Sequence, residues 1–115
     1  MNAAKFLFAV TLLTVTLLAF IPTYEPLPEI VSFSDILNHF AAFFTLYLLH
    51  LFAYPAFSWR WRGALLLGYG VMIEAVQAFL PNRYASLSDV AVDAAALTAA
   101  MLLHLLVYRL RARRA

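Results

Sequence analysis

The sequence predicts an all-α membrane protein, a four-transmembrane-helix bundle with both termini on the cytoplasmic side. Three observations carry that reading. Of the 115 residues, 65% are hydrophobic and 12% charged, against about 45–50% and about 25% in soluble domains, and the mean hydropathy is +0.85. The apolar residues gather into four runs, each near the roughly 20 residues that cross a bilayer core as a helix. The basic residues fall on alternate connections between those runs. With 10 Phe, 6 Tyr and 2 Trp the chain is not of the disordered class, which is charge-rich and poor in aromatics. No hydrophilic stretch is long enough to fold as a separate soluble catalytic domain, so residues 1–115 read as one domain.

The first helix is expected over residues 4–21. Phe6 to Ile21 carries no charge and ends at Pro22. Without a small-x-small pattern before Pro22, it reads as a retained signal anchor rather than a cleaved leader. The second helix, 35–57, holds only His39 and His50 as titratable groups after Asp35. The third, 63–80, holds only Glu74. The fourth, 88–108, holds Asp93 and His104 beyond its first turn. The connections are short: residues 23–34 with Pro26 and Pro28, residues 58–62 reading Ser-Trp-Arg-Trp-Arg, and residues 81–88.

Four spans put the termini and the central connection on one side. That side carries Lys5, Arg60, Arg62, Arg109, Arg111, Arg113 and Arg114, and the other side only Arg83. The positive-inside rule therefore places both termini in the cytoplasm. Trp59 and Trp61 suit an inner interfacial belt, and the basic tail suits anionic membrane lipid rather than nucleic acid.

Ionisable residues within spans are costly and mark interiors or sites. Here they converge on the outer half. Asp35 and His39 lie four apart on one face of the second helix, Glu74 and Gln77 three apart on the third, and Asp89 and Asp93 four apart on the fourth. Arg83 lies between the third and fourth. The expected result is an outward-facing polar pocket, with Glu74 and His39 as acid/base candidates and Arg83, Asp93, Asp89, Gln77 and Asp35 as binding candidates. Plainer readings stay open. Ser32-x-x-Asp35 and Ser86-x-x-Asp89 both fit the capping box, and Gln77 fits an interhelical hydrogen bond. His50 and His104 fit satisfied interior histidines or a relay. Asp35, His39 and His50 repeat the spacing of Asp89, Asp93 and His104, as in a parallel pseudo-repeat.

The absence of cysteine excludes disulfides, thiolate nucleophiles, Cys-ligated zinc and iron–sulfur clusters. Gly63, Gly68 and Gly70 precede no phosphate-loop Lys-Ser/Thr, and no zinc-binding helix or Ser–His–Asp order is present. No cofactor or metal is expected.

One stretch has a familiar pattern. Ser34-Asp35-Ile-Leu-Asn-His39-Phe40, followed by Glu74-Ala-Val-Gln77-Ala-Phe79-Leu-Pro81-Asn-Arg83-Tyr-Ala-Ser86-Leu-Ser-Asp89 and ending at Asp93, resembles the VanZ-like membrane proteins from Asp35 to about Ala100. Ile36 stands where that family usually has Lys, Asp93 where it has Asn, and Ala94 to Ala96 where it has Gly, so the site is more acidic here. The resemblance implies a bacterial cytoplasmic-membrane protein. It also implies a cell-envelope role linked to resistance to teicoplanin, a lipid-tailed glycopeptide.

Three functions compete. The pocket binds a lipid-linked envelope precursor or lipoglycopeptide; or it performs acid/base chemistry on an envelope lipid; or the chain carries a transport or proton path through His50 and His104.

Overall fold

In a computed structural model the chain forms four α-helices in the order α1 (Ala3–Phe20), α2 (Glu29–Ala53), α3 (Trp59–Gln77) and α4 (Leu87–Arg114). The structure describes residues 2–20, 29–80 and 87–114, and for residues 29–35 the backbone only. No strand occurs among the described residues.

The helices start and stop where local chemistry directs. α2 begins at Glu29, directly after Pro28, and ends at Ala53, because Pro55 disfavours a helical Tyr54. α3 is capped by Ser58, whose side chain accepts from the backbone N–H of Trp61 at 3.3 Å. α4 has Asp89 in its first turn and Arg111, Arg113 and Arg114 in its last, which opposes both ends of the helix dipole.

Three expectations change. Asp35 falls inside α2, which starts at Glu29, rather than at the start of the helix. The Ser-Trp-Arg-Trp-Arg stretch is not a connection: Trp59–Arg62 form the first turn of α3, which ends at Gln77 rather than at residue 80. The basic tail is the last turns of α4, which runs on to Arg114.

Side-chain contacts give the helix directions. Phe8 and Lys5 of α1 meet His50 and Tyr54 of α2, so those two helices run antiparallel. His39 of α2 meets Asp93 of α4, a parallel pair. Gln77 of α3 meets Ala19 of α1, also parallel. The chain thus passes up and down through the bundle. α2 packs on all three other helices, whereas α1 packs on α2 and less extensively on α3.

The core is built from one face each of α2, α3 and α4: Phe43, Leu46 and Tyr47; Leu66 and Ile73; Ala96, Leu97 and Ala100. The steps of three and four are the helical stripe. No α1 residue is fully buried; Phe8, Leu12, Val15 and Ala19 lay a partly buried stripe against the core. Lipid supplies little hydrophobic drive between helices, so close packing must hold them together, and small residues on α4 permit it.

The surface is apolar all round, with Phe6, Leu13, Leu17, Phe52, Trp61, Leu102 and Leu106 exposed. α1, the Ile36–Ala53 part of α2, and α4 are each long and apolar enough to cross a membrane. α3 has 19 residues and carries Arg60, Arg62 and Glu74 among them.

Candidate functional site

The face of α2 that supplies the core continues to His39, one turn before Phe43. The face of α4 that supplies Ala96 continues to Asp93 and Asp89. Asp93 is 1% exposed. Its Oδ1 lies 3.3 Å from Nδ1 of His39, and Oδ2 of Asp89 lies 3.9 Å from Nε2 of the same ring. The imidazole therefore stands between two carboxylates one turn apart on α4. Asp93 and His39 hold equivalent places in the two halves of the sequence pattern. They meet because α2 and α4 run side by side in the same direction.

Room for the Asp93 carboxylate comes from α3. At Gly70 an added Cβ would lie 2.8 Å from Asp93 Oδ2, and 3.2 and 3.3 Å from the Phe43 ring. Glycine at 70 leaves the carboxylate a berth no side chain would allow. Along the same α3 face Ile73, Glu74 and Gln77 are all buried. Gln77 is 2% exposed; its Nε2 donates to the Ala19 carbonyl at 2.7 Å, one of the last-turn carbonyls of α1 with no helical partner. Its Oε1 has no hydrogen-bond partner among the described residues.

These groups border a cavity of about 460 Å³. His39 and Asn38 of α2, Gln77 of α3 and Asp93 of α4 supply its polar wall. Val15, Leu18 and Ala19 of α1, with Phe43 and Ile73, supply the apolar one. Its size is within the range of small-ligand sites. Chemically the cavity offers acceptors at Asp93 and Gln77 and a ring at His39 that donates or accepts according to its tautomer.

The sequence-predicted residues fall into three groups. His39, Asp93 and Gln77 line the cavity, and Asp89 reaches His39. Glu74 is buried inside the bundle on the same α3 face as Gln77, but it does not line the cavity. Arg83 and the Asp35 side chain lie outside the described residues. Asn38 and the α1 wall were not anticipated. Asn38 gave a signal, being a second polar residue beside His39 in an apolar run; α1 gave none.

A second buried polar cluster lies at the opposite end. Arg62 is 0% exposed. Its Nε donates to Nδ1 of His50 at 2.9 Å, and one terminal nitrogen donates to the carbonyls of Tyr54 (2.9 Å) and Phe57 (3.1 Å). Those carbonyls are freed where α2 ends at Pro55. The guanidinium also lies over the Tyr47 ring, 5.7 Å from its centroid. Sequence reading set Arg62 among exposed bases of a connection; it is instead a strut between α3 and the end of α2. No carboxylate pairs with it among the described residues, so its counter-charges are dipoles: a helix C-terminus and a ring face.

His50 and His104, a conceivable relay, make no contact with each other among the described residues. Between the two clusters the α1–α3 seam is tied by Thr16 and Tyr69, which share a hydroxyl hydrogen bond. Tyr69 also donates to the Leu12 carbonyl at 3.4 Å. No group of three or more metal-ligating side chains occurs among the described residues.

Comparison with protein-family models, with curated proteins and with solved structures finds no match.

Proposed function

We propose that this chain is a VanZ-like integral membrane protein of four spans. In this reading the His39–Asp93–Gln77 cavity faces outward and binds a lipid-linked or cell-envelope molecule, such as an envelope precursor or a lipid-tailed glycopeptide of the teicoplanin kind. Both termini lie in the cytoplasm, and the membrane is the cytoplasmic membrane of a bacterium. The observation that carries the reading is Asp93: a carboxylate 1% exposed, held by His39, at the wall of a cavity whose other wall is apolar. A buried carboxylate in a membrane segment is expensive and is kept where it has work to do. The combination of a polar end with an apolar wall suits an amphiphile.

A second reading, a small membrane enzyme acting on an envelope lipid, draws on the same contact. Asp93 on Nδ1 of His39 orients the ring, and Nε2 faces Asp89 at 3.9 Å, so the imidazole is placed to pass a proton between carboxylates. Glu74, buried on α3, is the second acid/base candidate.

The test is binding to the detergent-purified protein, with a lipid-linked envelope precursor and teicoplanin as the two probes. His39→Ala and Asp93→Asn are expected to weaken binding about tenfold or more, the worth of one hydrogen bond to a charged group. Turnover of the precursor by the wild type would select the enzymatic reading. Variants that keep the wild-type fold and the wild-type affinity for both probes would sink the site.

A further inference from the structure

A second cavity, of about 330 Å³, lies at the Arg62 end, between α1 and α3. Phe8, Leu12, Leu65, Leu66 and Tyr69 make it almost wholly apolar, and His50 is the polar residue in its wall together with the Tyr54 edge. Leu65 is 52% exposed and forms its lip, so the groove opens sideways, toward the space that acyl chains fill around a spanning bundle. The volume is at the low end of ligand sites, suited to one chain rather than to a whole bulky ligand.

Three features give this groove a polarity. Nδ1 of His50 accepts the Arg62 Nε–H, so the ring proton sits on Nε2. That N–H has no acceptor among the described residues, although His50 is only 2% exposed. Behind it the Arg62 charge is balanced by dipoles and by no carboxylate. Near the mouth, Lys5 Nζ stands 5.2 Å from the centroid of the Tyr54 ring, and the His50 ring packs on the same tyrosine 5.1 Å away centroid to centroid. No Asp or Glu occurs at this end among the described residues; Glu74, Asp89 and Asp93 all belong to the other. An apolar slot with a fixed donor in its wall, a buried cation behind that donor and a lysine near its mouth is complementary to a chain that ends in an anion.

We propose that this groove is a binding site for an anionic phospholipid of the adjoining leaflet. One acyl chain lies along Phe8, Leu12 and Leu66, and the phosphate is held between the His50 Nε2–H and Lys5. The site is at the opposite end of the bundle from the His39–Asp93 cavity and does not depend on what that cavity binds.

Native mass spectrometry of the protein in a neutral detergent reads this directly. The probes are phosphatidylglycerol and phosphatidylcholine with the same two chains. One phosphatidylglycerol is expected to be retained per protein, with about tenfold preference over phosphatidylcholine, the scale of one or two surface cations acting on an anionic lipid. His50→Leu and Lys5→Gln should each erode that preference. Leu65→Trp, a change at an exposed lip that leaves the core untouched, should block retention of both lipids. Because His50→Leu removes the acceptor of Arg62 Nε, Lys5→Gln and Leu65→Trp keep the test valid if that variant fails to fold. Equal retention of the two lipids by the wild type would overturn the proposal. So would a preference that survives Lys5→Gln and Leu65→Trp but disappears when Arg111, Arg113 and Arg114 are neutralised, since the tail of α4 would then be the binder.

Discussion

Replacing Gly70 with alanine tests how Asp93 is accommodated, and Gly68 supplies the control within the same helix. Both glycines sit in α3. A Cβ at Gly68 would meet nothing within 4 Å, whereas one at Gly70 would stand 2.8 Å from Asp93 Oδ2 and against the edge of Phe43. In a helix, alanine is favoured over glycine by about 0.5–1 kcal/mol through backbone entropy, and Gly68→Ala should show that gain. Gly70→Ala gains the same amount but forces a methyl into a closed site, and overpacking of that kind costs about 1–3 kcal/mol. The net expectation is a loss of about 0–2.5 kcal/mol, with the gap between the variants measuring the overpacking itself. The neighbouring atom is no flexible chain end: the Asp93 carboxylate is buried and held by His39. Relief requires either breaking the His39 contact or widening the α3–α4 seam. Reversible unfolding in mixed micelles gives the two stabilities, and a binding assay on Gly70→Ala reports whether the carboxylate has moved. If Gly70→Ala were as stable as Gly68→Ala, the close approach of α3 to Asp93 would be wrong, and with it the account of how the site is packed.

Two further outcomes are expected. Tyr47 is fully buried and its hydroxyl has no hydrogen-bond partner among the described residues. Tyr47→Phe removes a group whose burial unpaired costs about 1–3 kcal/mol while keeping the ring beneath Arg62, so the variant should be at least as stable as wild type; a loss beyond 1 kcal/mol would mean the hydroxyl has a partner. The chain has no cysteine, so single cysteines report topology without background. Asn2→Cys and Ala56→Cys should resist an impermeant maleimide in intact cells, and Leu87→Cys should react. Labelling of Ala56→Cys and Leu87→Cys from the same side would show that α3 does not cross.

The parts of this molecule legible in its sequence are those decided by local pattern. The runs from Phe6, from Ile36 and from Val90 announce α1, α2 and α4, because an uninterrupted apolar stretch has few other uses. The four-residue spacing put His39 and Asp93 on helix faces at the same end of the bundle, but their direct contact depends on how α2 and α4 lie together and had no local sign. What escaped was decided at a distance. Arg62 looks like a loop base in a Trp-Arg-Trp-Arg string, and its burial depends on acceptors from the far end of α2. Ser58, a capping residue directly ahead of that string, was the one local sign that a helix starts there. In the same way Pro28 followed by Glu29 marks a helix start, and outweighs the Ser32–Asp35 pattern that placed the start later. The apolar α1 wall of the His39 cavity carries no signal at all, because a lipid-facing leucine and a cavity-lining one are the same residue in a sequence.

The burial of Arg62 and Glu74 bears on how the protein is made. An arginine or an acid at the centre of a lone helix opposes partition from the translocon into lipid by about 2.5–3.5 kcal/mol, and by less toward the helix ends, where Arg62 and Glu74 stand. α3 carries one of each on its inward side, together with Arg60. Released on its own, such a segment has little to gain from the bilayer. Beside α2 the guanidinium finds His50 and two carbonyls already waiting, while the far end of the helix is completed by α4, which is synthesised later. In the four-span reading proposed above, integration of α3 therefore lags behind its synthesis and is completed with α4 as a hairpin. On that reading the chain passes through an intermediate with α1 and α2 in lipid and α3 held at the translocon until α4 emerges.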